Sequence, residues 1–320
     1  MPFDIVGNAK RTIRLESQAI QSLEEFINAD FESAVQTINN LKGRVVISGI
    51  GKSALIAQKI VATFNSTGTP AIFMHAADAL HGDLGIVQEN DVVIVISKSG
   101  NSPEIKALVP LIKNFGNTII AIVGNEDSYL ARQADFVLNT TVSQEACPNN
   151  LAPTASTTAQ MVMGDALAVC LMQLKGFKEG DFAKFHPGGT LGKKLYLRVE
   201  DVFPDNERPM VSPGNSIKEV IVEMTKKRLG VTAVADENET LLGIITDGDL
   251  RRMLEKNADI DGIKAINIMT RNPKTIEAEE LAVSALDMMR KNAITQLVVV
   301  NQKKYLGIIH IHDLLKEGLI

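Results

Sequence analysis

The residues best suited to chemistry lie in one short turn, SKSGNSPE at 97–104. The turn follows an apolar run at 91–96 and precedes apolar residues at three- and four-residue steps, which predicts a buried strand, a turn and a helix start. The hydroxyls of Ser97, Ser99 and Ser102, with free N–H groups at a helix N-terminus, would bind phosphate. Glu104 places a carboxylate beside that anion, and catalysis on a sugar attached to the phosphate would explain it. A serine N-cap followed by a solvated glutamate is the alternative.

A glycine-rich segment, GIGKS at 49–53, follows the first predicted strand. It does not fit a Walker A loop, because Val46 stands where that motif needs glycine. It fits a dinucleotide fingerprint poorly, since the second predicted strand ends at His75 without the expected acidic residue. The remaining interpretation makes Lys52 a cation and Ser53 a phosphate-binding hydroxyl at a helix start.

Two histidines, His75 and His81, lie on the loop after the second predicted strand, in HAADALHGDLG. Asp78 and Asp83 are nearby, but the spacing matches no HxH or HExxH zinc pattern. Histidines at the ligand end of an α/β sheet more often bind substrate hydroxyls or transfer protons. We therefore favour a substrate-binding role for both.

Glu145 follows the fifth predicted strand, so it is expected at the same sheet edge as Lys52 and Glu104. The Ser/Thr cluster at 154–158 is explained by capping of the helix behind it. His186 lies in HPGGTLG at 186–192, whose glycines indicate a defined backbone path. Spacing alone does not decide whether His186 belongs to the site.

Two kinds of pattern divide the chain. From residue 44, short β-branched runs alternate with helix-like stretches, which predicts strands buried on both faces of a parallel sheet. The predicted strands are 44–48, 71–74, 92–96, 118–123 and 136–139, and the predicted helices are 8–40 (one or two), 53–65, 103–115, 128–134 and 156–175. The predicted fold class is α/β, a five-stranded parallel doubly wound sheet whose ligands bind beyond the carboxyl ends of its strands.

After a polar connector, the sequence repeats itself. LGIITDGDL at 242–250 is echoed by LGIIHIHDL at 306–314. This predicts a duplicated β-α-β-β-α unit whose copies pair across a pseudo-two-fold axis, with packing alone and ligand sensing both open as its role. The predicted divisions are an N-terminal helical segment at 1–33, the sheet domain at 34–177, a connector at 178–202 and repeats at 203–262 and 268–320.

Composition excludes several classes of protein. The 320 residues are 45% apolar and 22% charged with a net charge of −5, so neither nucleic acid nor an anionic membrane surface is an expected partner. Two cysteines in no metal-ligand spacing favour a reducing compartment. The most apolar helical stretch, 161–174, is interrupted by Asp165 and is predicted to be too short to span a bilayer. The expected location is the cytoplasm.

In order along the chain, these motifs resemble the sugar isomerase (SIS) domain family followed by two cystathionine-β-synthase-type (CBS) repeats. The motifs are SGIGKS, STGTP, HGDLG, SxSGxSxE, EACPxxLAPT, MGDALA and HPGGxLG, then TDGDLRR and HxHDLL. The resemblance implies an aldose–ketose isomerase that interconverts D-ribulose 5-phosphate and D-arabinose 5-phosphate and supplies 3-deoxy-D-manno-octulosonate for lipopolysaccharide or capsule. An isomerase for another phosphosugar and a non-catalytic sugar-phosphate sensor are the alternatives.

The resemblance also implies a set of site residues. The implied catalytic residues are Lys52, Glu104, Glu145 and His186. The implied substrate-binding residues are Ser53, Gly68, Thr69, His75, His81, Ser97, Ser99 and Ser102. No cofactor and no metal are expected, although His75 is a candidate contact for an inhibitory Zn²⁺. The family further implies a homotetramer, in which His186 acts on a neighbouring subunit's site.

Isomerisation chemistry agrees with the residues found from the patterns. A proton moves between C1 and C2 through an enediolate, which needs a carboxylate base, a proton donor and a cation for the oxyanion. One of Glu104 and Glu145 would take the carbon-bound proton while the other manages oxygen protons, and the sequence leaves that choice open. Lys52 would stabilise the enediolate, and His186 would assist proton transfer.

The repeats suggest a separate ligand. In such modules a Thr and an Asp at the start of the final helix often hold an adenosyl ribose. Thr246 and Asp249 keep that pattern, whereas His310 replaces the hydroxyl residue beside Asp313 in the second copy. Adenine nucleotides are therefore not the expected ligand. A nucleotide sugar, such as cytidylated 3-deoxy-octulosonate, is the candidate effector, and a packing role without a ligand stays open.

Overall fold

The computed structural model describes residues 4–256 and 260–319, and the chain forms two compact units, Met1–Phe185 and His186–Ile320. The division lies inside the stretch predicted as a connector, and short helices occur on both sides of it. The predicted outer bounds at residues 1 and 320 lie outside the described residues. The finer domain boundaries stay predictions.

A parallel sheet organises the first unit. Its strands are β1 (Val45–Gly49), β2 (Ala71–His75), β3 (Val92–Ser97), β4 (Thr118–Val123) and β5 (Phe136–Asn139). Its helices are α1 (Ile5–Ser22), α2 (Ala29–Asn39), α3 (Lys52–Ser66), α4 (Ala76–Ala79), α5 (Pro103–Asn114), α6 (Tyr129–Gln133), α7 (Ala155–Leu174) and α8 (Glu179–Phe185). The strand order is β2-β1-β3-β4-β5 and every pairing is parallel, which confirms the predicted fold class. Because the order reverses between β1 and β3, the ligand crevice is expected at their carboxyl ends.

Both faces of the sheet are covered, which is why its strands are continuously apolar. Every residue of β1 and β3 is buried. Ile47 and Ile94 belong to a core with α3 and α7, whereas Val46 and Val93 belong to a second core with α5. Alternate residues along each strand therefore fill the two cores.

Helix α7 is central to one of these cores. It has 20 residues and is long and apolar enough, by length and composition alone, to cross a membrane, but half of its apolar window is buried within the unit, as in a core helix. The helix predicted at 156–175 is confirmed to within one residue at each end, whereas the prediction that its apolar part is too short to span a bilayer is wrong by length and composition. Where α7 meets α3, a Cβ on Gly164 would lie 2.3 Å from Ile60 Cδ1.

The second unit contains the two repeats. It comprises α9 (Thr190–Tyr196), β6 (Met210–Val211), α10 (Ile217–Lys227), β7 (Val231–Ala235), β8 (Leu241–Thr246), α11 (Asp247–Lys256), α12 (Ala265–Ile268), β9 (Thr270–Arg271), β10 (Thr275–Glu277), α13 (Ala282–Asn292), β11 (Gln296–Asn301), β12 (Lys304–His310) and α14 (Ile311–Lys316). The sheets are β6-β7-β8-β9 and β10-β11-β12. The β-α-β-β-α order occurs in both copies, and residues of both, including Val231 and Tyr305, share one apolar cluster.

Replacing Gly164 by alanine tests the contact between α3 and α7. Alanine favours a helix over glycine by about 1 kcal/mol, but overlap of its methyl group with the fully buried Ile60 should cost about 1–3 kcal/mol. We expect Gly164→Ala to lower the midpoint of thermal unfolding and the added Ile60→Val change to recover part of the loss. Gly180→Ala in α8 is the control, because Gly180 is exposed and no atom of the described residues would lie within 4 Å of a Cβ there. An unchanged midpoint for Gly164→Ala would contradict the packing argument.

Candidate active site

The turn between β3 and α5 is held in shape by its own hydroxyls. Gly100 has a φ of +62°, and a Cβ there would lie 2.2 Å from the Ser128 hydroxyl, so the position requires glycine. The Gly100 N–H donates to Ser97 Oγ at 3.0 Å, and the Asn101 N–H donates to Ser99 Oγ at 3.3 Å. Both serines act as acceptors here, so their O–H groups are available as donors.

Ser102 and Glu104 lie at the N-terminus of α5. Ser102 is the N-cap residue, and its buried hydroxyl oxygen has no hydrogen-bond partner among the described residues. An anion bound at this helix start would satisfy that hydroxyl and the free N–H groups together. Glu104 is half-buried in the first turn, and within residues 4–256 and 260–319 its carboxylate makes no hydrogen bond or ion pair.

The loop after β1 supplies a cation and a hydroxyl. Gly51, with a φ of +59°, leads into α3, whose first residues are the exposed Lys52 and the half-buried Ser53. Ser53 Oγ donates to Gln160 Oε1 at 3.1 Å. Gln160 is fully buried in α7, and its Nε2 finds no partner in the part of the chain that the structure describes. A buried amide donor without a partner is available to a ligand oxygen.

Glu145 follows β5 and is the most constrained candidate. Its side chain is fully buried, and Oε1 accepts a hydrogen bond from Lys98 Nζ at 2.6 Å. Oε2 accepts from the N–H and hydroxyl of Thr154, at 2.8 and 3.1 Å, and from the Ser156 N–H at 3.2 Å. This carboxylate therefore connects the serine turn to the beginning of α7.

These contacts keep Glu145 ionised. Burial raises the pKa of its carboxyl group, but hydrogen bonds from Lys98, Ser156 and Thr154 outweigh burial and lower the pKa to about 2. A carboxylate with so low a pKa accepts a carbon-bound proton poorly, because general bases work best with a pKa near the operating pH.

The two histidines lie towards the same end of the sheet. His75 is the last residue of β2 and is half-buried, with Nδ1 3.5 Å from the Asp78 carboxylate. His81 is exposed just beyond α4. Over residues 4–256 and 260–319, no three or more His, Cys, Asp or Glu side chains are grouped so that they could hold a metal ion. The inhibitory Zn²⁺ contact at His75 stays a prediction.

Gly68 and Thr69 do not join this group. They precede β2, so they lie at the amino end of the sheet, opposite the edge that carries the other candidates. Lys175, which follows the C-terminus of α7, donates to the Gly68 carbonyl at 3.2 Å and to the Thr69 hydroxyl at 2.8 Å. In this chain they anchor the C-terminal end of α7, and their predicted role in substrate binding stays a prediction.

His186 is the first residue of the second unit. Its carbonyl accepts the Gly189 N–H at 3.1 Å, and a Cβ on Gly192 would lie 2.2 Å from that oxygen. The HPGG segment therefore forms a tight turn that needs a small residue at 192. The catalytic role of His186 stays a prediction.

Three residues that shape the site are not identified from the sequence patterns. Lys98 stands between two serines of the turn, which is itself a signal for anion binding. Gln160 lies on the buried and mostly apolar face of α7, and a buried amide needs hydrogen-bond partners. Arg11 lies in α1, and its Nη1 donates to the Ala146 carbonyl at 3.3 Å, which attaches α1 to the loop of Glu145.

In the first CBS-type repeat the predicted effector residues form a helix cap. Thr246 Oγ1 donates to Asp249 Oδ2 at 2.6 Å, and Arg252 and Thr270 donate to Oδ1 at 2.7 and 3.1 Å. Burial raises the pKa of Asp249, but the hydrogen bonds from these residues lower it overall. Thr246 also lines a largely apolar cavity of about 280 Å³.

The second repeat forms the corresponding cap with histidine. His310 Nδ1 accepts the His312 N–H at 3.1 Å, and the His310 N–H donates to Asp313 Oδ2 at 2.8 Å. These residues line a cavity of about 450 Å³ together with Arg228 and Lys316. Among the described residues, two cations and the Asp313 carboxylate line the second cavity, whereas Lys274 is the charged residue that lines the first.

Known proteins resemble the chain along its whole length. Residues 38–170 match the SIS domain model, and residues 199–256 and 263–319 match the CBS domain model. The chain is 50% identical to the arabinose 5-phosphate isomerase KdsD of Francisella tularensis, over 98% of this chain and 97% of that protein. It is 44% identical to KdsD of Escherichia coli K12, over 99% and 97%. The structure of an Escherichia coli CFT073 protein in complex with arabinose 5-phosphate matches with a TM-score of 0.56 and 39% identity, covering 58% of this chain and 100% of that one.

The ionised state of Glu145 predicts a defined sensitivity to acid. Its pKa is about 2 in the folded chain against an ordinary 4.5, so its contribution to stability is complete above pH 4.5 and is lost as the pH falls towards 2. The contribution is about 3 kcal/mol. We expect Glu145→Gln to unfold at a lower temperature than the wild type at neutral pH, and calorimetry should show the gap closing as the pH approaches 2. An equal difference in unfolding temperature at neutral pH and near pH 2 would contradict the low pKa of Glu145.

Proposed function

The chain belongs to the family of arabinose 5-phosphate isomerases that combine a SIS domain with two CBS domains, and from this membership we propose how its residues perform the reaction. It is an aldose–ketose isomerase that interconverts D-ribulose 5-phosphate and D-arabinose 5-phosphate. The reaction moves one proton between C1 and C2 and one between the two oxygens, with no net oxidation of the sugar.

The serine turn after β3 binds the substrate's phosphate. Ser97 and Ser99 donate their O–H groups, and the unpartnered Ser102 hydroxyl and the N-terminus of α5 complete the contacts. Ser53, at the start of α3 on the other side of the strand reversal, offers a further hydroxyl. With the phosphate held there, the sugar carbons extend along the carboxyl edge of the sheet.

Glu104 is the base that takes the carbon-bound proton. Its carboxylate is next to the phosphate cradle and is not occupied by any hydrogen bond among residues 4–256 and 260–319. Glu145 is the poorer base, because four donors stabilise its ionised form. This contrast between two carboxylates at one edge is the observation that carries the assignment.

The remaining candidates assist at the oxygens. Lys52 is an exposed ammonium at the start of α3, where it stabilises the enediolate as negative charge develops on oxygen. His75 and His81 bind sugar hydroxyls. His186 transfers protons to and from the oxygens in the site of a neighbouring subunit of a tetramer. A sensor without catalysis would have no use for a free Glu104 and an exposed Lys52 beside the phosphate cradle.

Removing the proposed base tests this assignment. Purified protein is incubated with ribulose 5-phosphate in D₂O, and NMR identifies the aldose formed and the deuterium at its C2. We expect arabinose 5-phosphate from the wild type, and a fall in kcat of about 10²- to 10⁴-fold for Glu104→Gln with little change in KM. Glu126→Gln, an exposed carboxylate after β4, is the control. Normal turnover by Glu104→Gln would remove Glu104 from the mechanism, and a different aldose would reassign the substrate.

The CBS pair binds an anionic nucleotide sugar as an effector. Arg228 and Lys316 place two cations in the cavity that His310 and Asp313 also line, and these cations suit a ligand that carries phosphate or carboxylate groups. The reciprocal cap at Thr246 and Asp249 leaves its cavity mainly apolar walls for a base or sugar ring. A cytidylated 3-deoxy-octulosonate has both kinds of group.

Titration of that compound against isomerase activity tests the effector proposal. We expect a saturable change in kcat or KM for the wild type, together with a rise in the thermal midpoint. Arg228→Met removes one charged contact, so both responses should require about tenfold more compound. Lys226→Met, an exposed cation on α10, should respond as the wild type does. No change in the activity of the wild type at saturating compound would count against an effector role.

A further inference from the structure

We propose that Lys98 is the cation that binds the phosphate of the substrate, and that Glu145 is the positioning residue that holds it there. This inference rests on the proposed function and assigns a role to a side chain outside the set implied by the family resemblance. It also gives Glu145 a purpose other than proton transfer.

The backbone of Lys98 is fixed within the phosphate turn. The residue stands between Ser97 and Ser99, and its carbonyl accepts the Gly124 N–H at 3.1 Å. A Cβ on Gly124 would lie 2.9 Å from that carbonyl oxygen, so the loop after β4 packs tightly against this point. The ammonium group therefore extends from a rigid part of the cradle.

Among the residues that the structure describes, the ammonium group has one partner, the Glu145 carboxylate. Lys98 Nζ lies 2.6 Å from Glu145 Oε1, and 47% of the Lys98 side chain is exposed while none of the Glu145 side chain is. An ammonium group has three N–H donors, and the ion pair uses one. The donors that point away from Glu145 are available to a ligand in the turn.

The negative charge of Glu145 is offset from the other side. Its Oε2 accepts from the N–H groups of Thr154 and Ser156, at the positive end of the 20-residue helix α7. The helix terminus neutralises part of the carboxylate charge, so the ammonium keeps its attraction for a phosphate dianion. Glu145 thus fixes the position of the cation without cancelling its charge.

Five variants separate this role from a merely structural ion pair, and three of them change a lysine alone. The readouts are KM, kcat and inhibition by inorganic phosphate, with phosphate binding also measured by calorimetry without turnover. We expect Lys98→Met to raise KM and the phosphate Ki by about 10- to 100-fold, the value of one charged contact, with kcat changed less than threefold. Lys98→Arg should recover most of the affinity. Lys106→Met, which removes an exposed cation from α5, should change neither quantity.

The partner variants test the link to Glu145. Glu145→Gln should also raise KM and the phosphate Ki. The double variant Lys98→Met/Glu145→Gln should bind phosphate as well as the weaker-binding single variant does, because both changes remove the same ion pair. The double variant leaves no buried charge unpaired, so it remains informative if Lys98→Met alone does not fold.

Two results would overturn the proposal. The first is unchanged phosphate affinity in a folded Lys98→Met or double variant. The second is a large loss of kcat in Glu145→Gln with KM and Ki unchanged, which would make Glu145 a proton-transfer group. Failure of the proposed function is a separate result. If Glu104→Gln turned over normally, the assignment of the base would fail, but the phosphate affinity measured by calorimetry would still depend on Lys98.

Discussion

The arrangement of this active site depends on the hydrogen bonds of one buried carboxylate. Burying an ionised carboxylate is costly unless it is paired and hydrogen-bonded. Glu145 meets that condition with donors from the turn after β3 and from the start of α7. The hydrogen bonds to this one carboxylate therefore fix the turn after β3 and the start of α7 relative to each other. The functional groups on these segments are in place before substrate binds.

The same helix is held at both ends. Glu145 accepts from its first residues, while Lys175 beyond its last turn donates to Gly68 and Thr69 at the opposite end of the sheet. Close packing of Gly164 against Ile60 sets the distance to α3, which carries Lys52 and Ser53. Packing in the core and hydrogen bonds at the sheet edges thus act on one rigid element.

Much of this could be predicted, because it depends on local patterns. Continuous apolar runs alternating with helical periodicity indicate a covered parallel sheet, and the duplicated LGII segments indicate a repeated unit. The contact of Lys98 with Glu145 could not be predicted, since it depends on strand order and on two loops that meet at the edge. Gly68 and Thr69 show a second limit: their motif does not reveal that they lie before β2, at the amino end of the sheet.

Helix α1 lies outside the residues that match the SIS domain model, which begins at 38, yet it contacts the active-site loop. Arg11 holds the carbonyl next to Glu145, and Glu16 accepts from the Thr158 hydroxyl in the first turns of α7. A chain reduced to the matched residues would retain every candidate side chain of the sheet edge but lose these two supports. The catalytic unit of this isomerase is therefore larger than its recognisable domain.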